Sequence, residues 1–446
     1  MATVLLAALL GGCSFLSKEA DATEVSSKAE TESPGATQES ETETAETEET
    51  QESHEAAEDE ESGEEETEDH FVEKKIVVAT DMHYFAEKLA GNRCDSFVGM
   101  ARGGDGRVLE YGWEVMDAFL DDMKKEDPDL LILSGDLTLD GEKASHEELA
   151  ELLEGLSEAG IEVAVIPGNH DINNPDARRY TADGAEKVES ITADEFRDIY
   201  ADFGYVAADS RDPASLSYLY KIDSANWVLM LDSCQYEPKN EVGGMIRRET
   251  YEWMEPILEE AEREGARVIS VSHHNLLDES EIYVDECTIE HSEQFVDLLE
   301  TWDVPLFLSG HLHVQHCKRS DENRGVWEMV TASLATPSCK YAILTYRDDR
   351  SFLYRTRSLD VEAWAKKNGQ TEPELLDFKE FQTPFLRRVF YSQAVAALRE
   401  VPEVSDSERE QMAQLYSLLK YHYYQGTAYQ VQEQVRKDPA YPLWME

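Results

Sequence analysis

The chain has 446 residues, 41% of them hydrophobic, enough to bury a large core in one big domain or two smaller ones. Asp and Glu number 95 against 40 Lys and Arg, for a formal charge of −55. That balance argues against nucleic acid as a partner, because sequence-independent binding needs a basic face.

Residues 1–13 read Met-Ala-Thr-Val-Leu-Leu-Ala-Ala-Leu-Leu-Gly-Gly-Cys, a short apolar run that ends in small residues and a cysteine. The run resembles the end of a bacterial lipoprotein signal, whose Leu-Gly-Gly-Cys box carries the lipid on the cysteine, here Cys13; no Lys or Arg precedes it. The resemblance implies a protein lipid-anchored at the cell membrane and working outside the cytoplasm. Residues 14–70 come next as an acidic linker, with 22 Asp or Glu against 2 Lys between positions 18 and 70. Such a stretch buries too little apolar surface to offset the entropy of ordering and is expected to be a disordered, self-repelling tether. No later apolar run is long enough to span a membrane. With Cys13 set aside, Cys94, Cys234, Cys287, Cys317 and Cys339 are odd in number and irregular in spacing, which describes no disulfide framework.

From about residue 74 to 315, apolar strands alternate with amphipathic helical stretches, the pattern of a layered α/β domain. The first strand, 76–79, leads into Asp81-Met82-His83. A Gly-bearing stretch without periodicity, 85–111, comes next and carries Arg93, Arg102 and Arg107; it is expected to lie at the rim of whatever site Asp81 and His83 belong to, where the arginines could grip an anion. A helix over 113–125 precedes the strand 130–133 and Gly135-Asp136. Ser145-x-x-Glu148 has the form of a capping box for a helix over 146–158, and the strand 162–166 runs into Gly168-Asn169-His170-Asp171. Thr192-x-x-Glu195 is a second candidate cap. Strands are expected over 216–222 and 227–231, a helix over 248–264, then a strand, 268–271, ending in His273-His274, and another, 306–308, ending in Gly310-His311-Leu312-His313. Further strands are expected over 327–334, 340–346 and 352–357. Segments 377–398, 406–420 and 428–437 read as helices, so residues 359–446 are expected to form a helical appendage on an α/β domain of residues 71–358.

Five strands finishing in potential ligands point to one site, because open α/β sheets bind at the carboxyl ends of their strands; the expectation is a site along one sheet edge. The donors are carboxylate, imidazole and amide without thiolate, which suits Mn, Fe, Zn or Mg. His273 and His274 are adjacent, so on a strand end they point apart and one alone is expected to ligate. There is no Gly-x-Ser-x-Gly, so a serine nucleophile is not nominated.

Taken in order, Asp-x-His, Gly-Asp, Gly-Asn-His-Asp, a strand-end His and Gly-His-x-His resemble the calcineurin-like metallophosphoesterase family, and in particular its bacterial surface-lipoprotein members. The resemblance covers residues 74 to 346. It implies a β-sandwich core flanked by helices in four layers (αββα) and two divalent metal ions, Mn, Fe or Zn. Asp81, His83 and His313 would hold one, Asn169, His273 and His311 the other, and Asp136 would bridge them. His273 is chosen over His274 on the family pattern, leaving His274 to line the substrate pocket or to pack. The implied activity is hydrolysis of a phosphomonoester or phosphodiester by a metal-activated water, with His170 at the leaving group. Asp171 would either orient His170 or cap the next turn. The alternative is a non-catalytic surface lipoprotein that binds a metal or ligand; a binder has no need of His170.

Overall fold

The continuous apolar runs and the helical stretches between them build two sheets packed face to face. The computed structural model describes residues 23–25, 73–280, 286–321, 325–347 and 351–445. The first sheet has the strand order Thr23–Val25, Phe352–Ser358, Lys340–Tyr346, Lys74–Ala79, Leu130–Ser134, Val163–Ile166. Its last three strands run parallel and are buried along nearly their whole length, which explains why they read as unbroken apolar runs rather than alternating ones. The second sheet runs His316–Arg319, Trp327–Val330, Leu306–Ser309, Arg267–Ser272, Asn226–Leu231, Tyr218–Asp223, Ser210–Arg211.

In the second sheet the side chains alternate. Val228, Met230, Ile269, Val271, Leu306 and Leu308 enter the core shared with the first sheet. Trp227, Leu229, Leu231, Val268 and Phe307 pack instead with the helices Arg248–Glu264 and Ser292–Thr301. Helices Gly112–Glu126 and Lys143–Ser157 pack their buried residues into the core that holds the first sheet. The outcome is the expected helix–sheet–sheet–helix layering.

Local expectations hold at some ends and shift at others. Thr192 caps Ala193–Ile199 in a reciprocal box with Glu195. Ser145 does not cap: its helix begins at Lys143, and the Ser145 hydroxyl accepts from the Ala86 N–H at 3.1 Å, while Glu148 accepts from the Tyr84 hydroxyl at 2.7 Å. Both residues of the presumed box therefore hold the stretch just after His83. That stretch, 85–111, contains an α-helix, Asp95–Gly103, and two short 3-10 turns. A satellite core of Phe85, Leu89, Phe97, Leu109 and Leu139 orders it, with Phe97 stacked between Phe85 and Trp113.

Helices Val361–Lys367, Phe378–Leu398, Asp406–Tyr424 and Ala428–Lys437 make up most of the C-terminal region, and their buried residues join the main core. Phe378 and Phe381 flank the Tyr111 ring. Cys13 and most of the segment expected to be disordered lie outside the described residues. Within that segment Thr23–Val25 departs from the expectation by pairing antiparallel with Phe352–Ser358, an open sheet edge whose unpaired backbone groups accept an extended segment.

Candidate metal centre

The site forms where strand ends of both sheets meet, not along one sheet edge as the order of motifs suggested. Lys74–Ala79, Leu130–Ser134 and Val163–Ile166, adjacent in the first sheet, deliver Asp81 and His83, Asp136, and Asn169. Arg267–Ser272 and Leu306–Ser309, adjacent in the second, deliver His273, and His311 with His313. Sequence order cannot reveal this split, because both sheets use the same parallel strand-then-ligand pattern.

Asp81, His83, Asp136, His311 and His313 all have positive φ, between 43° and 67°. Five non-glycine residues held left-handed at one place is a concentration of backbone strain of the kind found where geometry serves function. Gly168 is required by close approach: a Cβ there would lie 2.1 Å from the Asp136 nitrogen.

The hydrogen bonds fix which ring nitrogens face inward. His273 Nδ1 lies 3.0 Å from the Ser134 carbonyl and His311 Nε2 lies 3.1 Å from the Glu286 carbonyl. A carbonyl only accepts, so both outer nitrogens carry the ring hydrogen. When both rings are neutral, the inner pair, His273 Nε2 and His311 Nδ1, then present lone pairs to each other across 3.2 Å, with Asn169 Oδ1 3.1 Å from His273 Nε2. Acceptors converge this closely where a cation sits among them, and carbonyl partners on the outer nitrogens are the usual support of a metal-ligating imidazole. A second group comprises Asp81, His83, Asp136 and His313, whose ligand atoms all lie within 4.8 Å of one another. Asp81 Oδ2 accepts from the His311 N–H, while Oδ1 is buried, accepts no hydrogen bond and sits 3.2 Å from His313 Nε2. Between the two groups stands Asp136 Oδ2, 3.7 Å from His83 Nε2 and 3.4 Å from His273 Nε2. The donor set thus fits two cations that share one carboxylate.

Charge tells the same story. Burial alone would push Asp136 up, but His273, His170 and His83 around it hold its carboxyl well below the usual carboxylate range. Burial opposes a proton on His273, yet Asp136 lifts it to about 9. Burial and the nearby His273 press His311 down to about 4. Positive charge is thus favoured beside the Asp136 carboxylate.

One contact must change for this arrangement. Arg107 Nη1 lies 2.9 Å from His83 Nδ1, and a guanidinium only donates, so His83 accepts there and its inner nitrogen carries the hydrogen. For Nε2 to hold a cation the ring takes its other tautomer and Arg107 leaves Nδ1, which releases its Nη1 while Asp105 still holds its Nε at 2.9 Å.

His170 stands beside the ligands: its ring centroid is 4.9 Å from that of His83, and its backbone N–H donates to Asp136 Oδ1 at 2.9 Å. Its Nδ1 lies 2.6 Å from the Leu139 carbonyl and 3.0 Å from Asp140 Oδ1, leaving Nε2 free of those partners. Burial works against its proton, but Asp136 and Asp140 raise it to about 9. Asp171 does not orient His170. Its buried carboxylate accepts from the N–H groups of Leu137, Thr138 and Gly168 and from the Thr138 hydroxyl, pinning two ligand loops together. Asp140 takes the orienting place. The sequence carries only a weak sign of it, an acidic residue four positions after Asp136. Asn240, whose amide donates to the carbonyls of Asn169 and Ile172, has no such sign.

Of the expected substrate contacts, Arg107 alone reaches the site. Arg93, just before the helix Asp95–Gly103, pairs with Glu114 and lies over Trp113, and Arg102, in its last turn, pairs with Glu110 and Glu374, so acids take up both guanidinium groups. His274 is buried and lines no substrate pocket. It lies close enough to His273 and His311 to suggest a triad, but Ser233 Oγ holds its Nδ1 and the Val242 carbonyl its Nε2, both at 2.8 Å.

Carboxylates and imidazoles gathered in this way, on strands of two packed sheets, define the class as a metal-dependent phosphoesterase. The chain belongs to the calcineurin-like phosphoesterase family, whose pattern matches residues 74–315. Residues 360–446 match a family described as the C-terminal domain of cyclic nucleotide phosphodiesterase. A probable cyclic nucleotide phosphodiesterase of Synechococcus is 27% identical over 198 residues, covering 44% of this chain and 62% of the relative. An uncharacterized metallophosphoesterase-like protein of Bacillus subtilis is 26% identical over 222 residues, covering 44% of this chain and 43% of that protein. The chain therefore spans less than two thirds of either relative. A dimetal phosphatase from Danio rerio is similar in structure at 13% identity and a TM-score of 0.47, covering 64% of this chain and 99% of that one.

Proposed function

We propose that this protein hydrolyses phosphodiesters at a two-metal centre, with Asp81, His83 and His313 around one ion, Asn169, His273 and His311 around the other, and Asp136 shared. The observation that carries this reading is the position of Asp136 Oδ2 between two groups of inward-facing imidazoles, 3.7 Å from one and 3.4 Å from the other. Two divalent cations there would supply Lewis acidity and make water acidic enough to yield a hydroxide nucleophile near neutral pH. His170 gives its proton to the leaving oxygen, held in register by Asp140 and the Leu139 carbonyl. Arg107, once off His83, offers its guanidinium to a phosphoryl oxygen. The preference for diesters, cyclic nucleotides among them, is supported by the C-terminal match and by the name of the Synechococcus relative.

Purified full-length protein loaded with Mn should hydrolyse bis-p-nitrophenyl phosphate faster than p-nitrophenyl phosphate. The reverse order would make it a monoesterase, and silence on both with two metals bound would favour a binder. The Leu-Gly-Gly-Cys run and the acidic stretch after it support placement at the cell surface through a lipid on Cys13. Replacing Cys13 by Ala should move the protein from the membrane to the soluble fraction, and retention at the membrane would remove the anchor.

A further inference from the structure

A cavity of about 390 Å³ opens beside the centre, lined by Met100, Arg107, Leu109, Leu139, Asp140 and Tyr180 among others. Three of these residues tie it to the chemistry. Asp140 and Leu139 hold His170, and Arg107 touches His83. The cavity therefore lies on the His170 side of the centre, where the leaving oxygen departs.

Its size falls in the range of roughly 300–1,000 Å³ that receives organic ligands. The wall is mixed: Met100, Leu109, Leu139 and the Tyr180 ring give it apolar surface, and Asp105, Arg107 and Asp140 give it charge. Tyr180 is braced edge-on by Phe85 and Phe97, both part of the satellite core, so that wall is firm. Of the charged groups, Asp140 holds His170, Arg107 touches His83, and Asp105 pairs with Arg107 at 2.9 Å. A wall with an aromatic face and charged groups beside it suits an alcohol whose body is a flat ring bearing polar substituents.

Resting on the phosphoesterase reading above, we infer that this cavity receives the body of the leaving alcohol, a ring-bearing group, and that the segment from Gly99 to Leu109 sets the enzyme's preference for it. The phosphorus–oxygen bond to that alcohol breaks, water supplies the new oxygen on phosphorus, and the alcohol departs with the proton from His170.

Gly99 and Gly103 allow a clean test. Both line the cavity on one face of the helix Asp95–Gly103, and a Cβ added at either meets no atom within 4 Å. Gly99→Phe and Gly103→Phe should thus fill the cavity without straining the backbone, and thermal melts report whether each variant folds like the wild type. The full-length Mn-loaded enzyme is assayed on two methyl phosphodiesters, one with 4-methylumbelliferone as leaving group, the other with trifluoroethanol, too small to fill the cavity. At least one filled variant should lose about tenfold or more in kcat/KM on the umbelliferyl ester, the discrimination a shaped pocket provides, with less than a twofold change on the trifluoroethyl ester. Equal change on both esters, or none, in two folded variants overturns the pocket's role and leaves the phosphoesterase reading intact. A wild type that binds two metals and hydrolyses neither ester overturns both.

Discussion

The metal-binding strand ends and the rim segment after His83 touch each other but are built on opposite principles. Each proposed ligand comes just after a buried apolar strand, so a neighbouring strand fixes its place. Residues 85–111 are fixed by a small satellite core and by contacts far along the chain: Arg102 and Tyr111 bond Glu374, and Gly106, at a φ of 114°, lies so close to Leu386 that a Cβ would come within 2.5 Å of it. The C-terminal helices back both regions at different points: Leu312 and Val314, beside His311 and His313, pack against Tyr423 and Tyr424, and the rim is tied to Glu374 and Leu386. The proposed division assigns chemistry to the strand ends and preference for the leaving alcohol to the rim.

The sharpest way to break that division is at the shared carboxylate. Asp136→Asn should lower turnover by about a hundredfold or more and reduce bound metal measured by elemental analysis, a larger cost than the 10–100-fold of losing an outer partner of a metal ligand. His170→Asn should retain both metals and still lose about 10²–10⁴ in kcat, the contribution of a positioned proton donor. Full activity in that variant would remove His170 from the chemistry.

The rim can be perturbed without touching the ions. Leu386 is fully buried beneath Gly106, and Leu386→Ala should cost about 2–5 kcal/mol of stability in urea titrations, with KM raised and metal content unchanged. Loss of metal in that variant would show that the two regions are not independent.

A pH-dependent effect separates them again. Burial, with Asp140 adding to it, raises the Glu142 carboxyl from 4.5 to about 7. A raised carboxyl is neutral in both states below its unfolded pKa, so its stabilising effect is full below about 4.5 and is lost as pH rises through about 7. The loss is about 3 kcal/mol by linkage. Urea unfolding at pH 5 and pH 8 should therefore show the wild type losing stability relative to Glu142→Gln as pH rises, and a constant difference would contradict the assignment. The smallest effect is expected at Arg93, whose partners are Glu114 and Trp113; Arg93→Ala should change kcat/KM less than twofold.

The two regions also differ in how far the sequence reveals them. The ligands are legible because a parallel strand buried on both faces is a solid apolar run, and the residues just past its end lie at the binding end of the sheet. The split across two sheets is not, since the run looks the same in either. The Asp95–Gly103 helix escapes notice because its buried residues are few, Phe97 and Ala101, too sparse for a periodic stripe. Asp171 misleads for a related reason. Adjacency to His170 suggests a partnership, but the tight turn at Gly168 points the Asp171 carboxylate back at backbone N–H groups and leaves Asp140, 30 residues earlier, against the ring.

Whether two ions share Asp136 is decided by anomalous diffraction from crystals of the full-length protein grown with manganese. Two peaks roughly 3.5–4 Å apart are expected, one on each side of Asp136, with Arg107 withdrawn from His83. A single peak, or two that do not share Asp136, would contradict the two-metal centre.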